Sequence, residues 1–268
     1  MDLINRDKLI SFEPYRVDEI HVGDGQDNEA VLLKVGDRWI LPDLGGLNVA
    51  PELIENLIRG VLYAPPGWPV ANSLSAMQRF HLADYKFQRR LTLISQGELL
   101  GTVYLGTSPG FEKVYAKNSS RSAIFSIPFN SRDAWARSGD WLDRRTLQIS
   151  APQLLSFGGH QLTRQGDVWT SETGTAPDDA ELKALLLALE NVQIENVADD
   201  KTHNTLSIAV PDLQMDIESM NIDTTYQFFT LGQKHYIHCS DHALFFGLSA
   251  EDFNRFAALD AQLLAGGM

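Results

Sequence analysis

The chain has 268 residues, enough for one large domain or two small ones that each bury a core. Apolar residues make up 44% and charged ones 21%, which excludes a wholly disordered chain. Lys and Arg number 22 against 35 for Asp and Glu, and the net charge of -13 disfavours nucleic acid and anionic headgroups as partners.

In chain order, residues 1–20 read as a lead-in. Asp2, Arg6, Asp7, Lys8, Glu13, Arg16 and Asp18 interrupt any apolar run, so no signal-peptide core is present. A hairpin follows: Gly36-Asp37 separates two short strand-like runs, with Trp39 two residues after the Asp. Ala50-Pro51-Glu52 opens a helix with Leu53, Ile54, Leu57, Ile58 and Val61 on one stripe. The uncharged stretch from Gly60 to Gln78 holds Pro65, Pro66 and Pro69, which excludes a membrane-spanning helix there. Strands are predicted over 90–95, 98–105, 111–117 and 123–127, with Gly97 at one turn.

Residues 143–153 form a join without a flexible linker, and the pattern then recurs. Gly166-Asp167 with Trp169 repeats the hairpin. Ala176-Pro177-Asp178-Asp179 opens a second helix carrying Leu182, Leu185, Leu186 and Leu189 on one face. Strands are predicted over 205–210, 213–220, 226–231, 234–239 and 243–248, with turns at Pro211-Asp212 and Gly232-Gln233. Ser249-Ala-Glu-Asp252 is a capping box for a last helix, with Phe253 and Phe256 facing inward. The expectation is an α+β fold of two tandem repeats, over 21–149 and 154–268, each a β-hairpin, a helix and an antiparallel meander.

Few segments carry chemistry. Gly106-Thr107-Ser108-Pro109-Gly110-Phe111 is not a phosphate loop, because no Lys-Ser/Thr pair follows the second glycine. Its letters match a nucleophile elbow, yet Pro109 removes the amide that should help stabilise an oxyanion. It reads as a turn with Pro109 fixing φ and Gly110 at positive φ, whose hydroxyls and amides are binding candidates. The aromatic corner with Trp135 and Trp141 is a second binding candidate, for a sugar or peptide. His238, Asp241 and His242 are weak metal candidates, since they converge only if Ser240-Asp241 turns tightly. No metal or cofactor is assigned. The single cysteine, Cys239, excludes an internal disulfide.

Gly67-Trp-Pro-Val70, Arg79-Phe80, Phe87-Gln-Arg-Arg-Leu91, Tyr104 through Phe111, Val114-Tyr-Ala-Lys117 and Asp140-Trp-Leu-Asp-Arg144 together resemble a bacterial family of unknown function, DUF4340. The resemblance implies an envelope protein, commonly held by one N-terminal membrane helix and associated with gliding-motility or auxiliary-type ABC transporters. Lys113 and Lys117 fall near the family's basic positions, with Glu112 an acidic intrusion. No such anchor is visible here, a departure that fits a trimmed form or an unanchored member. The family brings no catalytic residues. The implied role is a non-enzymatic accessory subunit on the periplasmic side of the inner membrane, with an ABC permease or associated subunit as partner. The alternatives are a lipid- or saccharide-binding protein with a pocket between the repeats and, behind it, a metal-dependent enzyme.

Overall fold

Two-residue turns led by glycine set the strand registers in both halves of the chain. Gly36 and Gly166 each adopt φ of +64°, a conformation that costs glycine no Cβ clash. Each therefore places its Trp directly across from a basic residue: Lys34 faces Trp39, and Arg164 faces Trp169.

The structure is a computed structural model and describes residues 8–65, 67–220 and 222–266. Residues 1–7 of the expected lead-in and Pro66 of the proline-rich stretch lie outside the described residues. The fold is α+β, and the chain divides into two units, Met1–Asp143 and Arg144–Met268.

The first unit contains β1 (Glu19–Gly23), β2 (Glu29–Val35), β3 (Arg38–Leu41), β4 (Leu47–Asn48) and α1 (Pro51–Leu57). A π-helical turn, Ile58–Leu62, extends α1 and leads to α2 (Leu74–Arg79). A small hairpin, β5 (Leu82–Ala83) with β6 (Lys86–Phe87), precedes β7 (Arg89–Ser95), β8 (Glu98–Leu105), β9 (Val114–Asn118) and β10 (Ile124–Ile127). The main sheet is antiparallel in the order β10-β9-β8-β7-β1-β2-β3-β4. β1 is its pivot and pairs with both β2 and β7, so Glu19 and Ile20 of the expected lead-in are sheet residues. The register aligns Ile20, Val22, Ala30, Leu32, Leu91, Leu93 and Val103 on one fully buried face. α1 buries Ile54 and Leu57.

The second unit contains β11 (Leu154–Phe157), β12 (His160–Gln165), β13 (Val168–Ser171), α3 (Asp179–Asn191), β14 (Ile194–Val197) and α4 (Asp200–Leu206). β15 (Leu213–Ser219), β16 (Ile222–Leu231), β17 (Lys234–Cys239), β18 (Phe245–Leu248), α5 (Ala250–Ala257) and α6 (Ala261–Leu264) complete it. Its sheet runs β13-β12-β11-β15-β16-β17-β18-β14. Ser249 caps α5 by accepting from the Asp252 amide at 3.0 Å, and Phe253 and Phe256 are buried against Phe228 at ring separations of 6.3 and 4.7 Å.

The two sheets share one plan. In each, an N-terminal meander, four-stranded in the first unit (β1 to β4) and three-stranded in the second (β11 to β13), joins a four-stranded one through its first strand, β1 to β7 and β11 to β15, and two helices intervene in the chain. The second helix of each unit adds to a smaller apolar cluster on the sheet's other face. α2 contributes Ala76 beside Tyr104 and Ile124; α4 contributes Leu206 beside Phe229 and Phe245. Between the helices, β14 pairs with β18, and Ala71 makes the corresponding single bridge to Ile124 of β10. The first unit thus holds a four-stranded meander, and the second a three-stranded one, where a hairpin is expected from the residues alone.

The strand expected over 205–210 is a correction. Asp199 accepts a hydrogen bond from the Thr202 amide at 2.8 Å, and the capped chain turns as α4 through Leu206. Ile208 and Val210 are left exposed rather than alternating into a sheet. The strand expected from Phe111 begins instead at Val114, after the turn has closed.

Candidate functional site

The β8–β9 connection is fixed at its base and free at its tip. Gly106 donates its amide to Tyr115 O at 2.9 Å, Thr107 donates to Phe80 O at 2.8 Å, and Tyr115 donates back to Thr107 O at 3.0 Å. The loop is thereby stitched both to β9 and to the residue that ends α2. A Cβ on Gly106 would lie 2.0 Å from Phe80 O, so only glycine permits this approach. The Phe80 ring stacks on Tyr115 with centroids 3.9 Å apart.

Beyond this base, Ser108 Oγ donates to Gly110 O at 2.5 Å and accepts from the Gly110 amide at 3.1 Å. Its hydroxyl is spent closing its own turn. The expected positive φ at Gly110 is a correction. Gly110 forms a bridge with Lys113, and the left-handed conformation falls on Glu112, at φ of +50°. The closing pair moves the tight position two residues on. Phe111 projects from the tip and is 88% exposed.

Behind the loop lies a row the sequence did not announce. Strand register places Arg90, Tyr104, Lys117 and Ile124 side by side on the face covered by α2 and the β5–β6 hairpin. Lys117 is buried, and burial holds its ammonium below the ordinary lysine range, with nearby Asp84 acting in opposition. Burial, followed by the Asp84 carboxylate, raises the Tyr104 phenol. The only sequence signal for this was Lys117 at an inward-facing strand position.

The other candidates are held elsewhere. Trp141 is fully buried, and its indole donates to Trp135 O at 2.7 Å, while Trp141 O accepts from the Ala50 amide at 2.8 Å. That corner lies beyond β4, at the opposite end of the sheet from β9. Trp135 is partly exposed.

In the second unit, the His242 amide donates to Cys239 O at 3.0 Å, so Ser240-Asp241 does turn tightly. The rings nevertheless go to different neighbours: His238 tilts against Phe245 and His242 meets the edge of Phe246. Among the described residues no group of three His, Cys, Asp or Glu side chains is arranged to hold a metal ion. Burial lowers the His238 imidazole, opposed by its hydrogen bond to the His242 backbone, while the charges of His203 and His242 nearby add to the lowering. Burial also pushes the Cys239 thiol up, with its Sγ 3.1 Å from Thr224 Oγ1.

The family model described as "Domain of unknown function (DUF4340)" matches residues 39–208, more than half of the chain. The chain belongs to the DUF4340 family. The match starts at Trp39 of the first hairpin, spans the whole Gly106–Phe111 turn and continues to the end of α4. No curated protein and no solved structure matches the chain.

Proposed function

We propose that this DUF4340 protein is a non-enzymatic accessory subunit of the bacterial envelope, which docks onto a component of an ABC-type transport system on the periplasmic side of the inner membrane. The observation that carries the reading is Phe111, an almost fully exposed aromatic held on a pedestal anchored to α2 and β9. The fixed loop base limits the backbone entropy lost when a partner covers the side chain, and aromatic residues dominate binding energy at interfaces. Tyr85 and Leu74, on the neighbouring hairpin and helix, are also well exposed.

Two features support a docking role over catalysis at this turn. The Ser108 hydroxyl is engaged by Gly110, and Pro109 supplies no amide. No helix among the described residues is long and apolar enough to cross a membrane.

The test is co-purification from membranes with ABC-transporter subunits. The wild-type chain captures a permease or its associated subunit. Phe111→Asp keeps the same melting temperature but lowers capture at least about tenfold, as loss of a hot-spot aromatic does. Equal capture by both proteins, or turnover of a substrate by the purified chain, contradicts the proposal.

A further inference from the structure

We propose that the groove between α1 and the β2–β3 hairpin of the first unit binds a saccharide. A cavity of about 390 Å³ opens there, a size suited to a small ligand. Its apolar wall is formed by Trp39 on the sheet and by Ile54 and Ile58 on the helix side. Lys34 and Arg38 stand on the hairpin side, Glu55 on the helix and Asn48 on β4.

Three observations select a polyol over other small ligands. First, the part of the largely buried Trp39 ring that reaches the cavity lies beside a polar rim, a pairing that matches the apolar C–H patch and hydroxyl edge of a sugar ring. Second, the rim carries both signs. Lys34 and Arg38 stand against Asp37, Glu55 and Asp143, two positive groups against three carboxylates, so a strongly charged ligand of either sign meets opposing charge. Donors and acceptors are mixed, as hydroxyl groups that do both require.

Third, the second unit shows what this hairpin does when it is closed on itself. Arg164, across from Trp169, donates its Nε to Gly166 O at 2.8 Å and lies 3.4 Å from Asp167. The corresponding pair in the first unit, Lys34 and Asp37, makes no such bond among the described residues and lines the cavity instead. The hydrogen-bonding capacity spent internally in one unit is available to a ligand in the other.

The test is a titration of the full chain, labelled with ¹⁵N, with maltose, chitobiose, glutamate and inorganic phosphate. The indole N–H signal of Trp39 is identified by its loss in Trp39→Phe. A saturable shift of that signal by one of the two sugars, weakened at least about tenfold in Glu55→Gln or Arg38→Gln, supports the site. Both altered residues are exposed, so the melting temperature stays unchanged and a lost signal is not a folding defect. The proposal is overturned if neither sugar shifts the signal by roughly 50 mM, if glutamate or phosphate alone does, or if the variants bind like wild type. Capture of a transporter partner through Phe111 is unaffected by any of these results, so the two readings fail separately.

Discussion

Replacing Gly106 with alanine isolates the contact that holds the candidate docking turn in place. The added Cβ would sit 2.0 Å from Phe80 O and 2.9 Å from His81 O, both backbone atoms that cannot rotate away. Relief requires the loop to retreat. That breaks the 2.8 Å bond from Thr107 to Phe80 and strains the 2.9 Å bond from Gly106 to Tyr115. Two backbone hydrogen bonds at about 1 kcal/mol each, with about 1–3 kcal/mol for overpacking, give a loss of about 3–5 kcal/mol. For a unit of this size the melting temperature falls by roughly 6–15 °C. Gly110→Ala is the control: nothing lies within 4 Å of the point its Cβ would occupy, and its φ is not positive. That variant melts within about 2 °C of wild type. Scanning calorimetry on the three proteins decides the matter. If the two alanine variants melt together, the loop is not pinned as described.

Three further outcomes follow from local chemistry. Lys117→Met removes a buried ammonium and raises stability at pH 7. The wild-type chain is more stable at higher pH between the lowered Lys117 value and the ordinary 10.5, because only the unfolded chain stays protonated there; urea midpoints across that window lose this rise in the variant. His238 acts at the acid side. Its folded-state value lies below the ordinary 6.5, so as pH falls through that range the unfolded chain takes the proton first and stability drops. In His238→Gln, urea midpoints at pH 7.5 and pH 5.5 lie closer together than in wild type. Asp178→Ala removes the cap that accepts from the Ala180 and Glu181 amides at 2.9 and 3.0 Å, and costs about 1 kcal/mol in chemical unfolding.

Local signals were the legible ones. The Gly36-Asp37 and Gly166-Asp167 turns, the proline-led helices and the Ser249 cap each act within a few residues, and each formed as the residues dictate. Where two local signals competed, the weaker one misled. Leu206, Ile208 and Val210 alternate like a strand, but the Asp199 cap favours a helical turn that ends at Leu206. The central strand β1 was hidden because its five residues include Glu19 and His21 on the polar face, and only pairing with β2 and β7 defines it. At the candidate site, the glycine-rich turn was visible while the roles of its glycines were not. Gly106 is required by Phe80, a residue 26 positions earlier in the chain, and the Gly110–Lys113 bridge shifted the left-handed residue to Glu112. The row of Arg90, Tyr104 and Lys117 is likewise a product of strand register across three strands.

The most direct measurement places a photo-activatable phenylalanine analogue at position 111 of the chain in living cells and identifies what it joins on irradiation. The expected outcome is a single abundant adduct with a membrane-embedded or associated subunit of an ABC transporter, absent when the analogue stands at exposed Val168 instead. Equal adducts from both positions, or none from position 111 in cells that make the transporter, would contradict it.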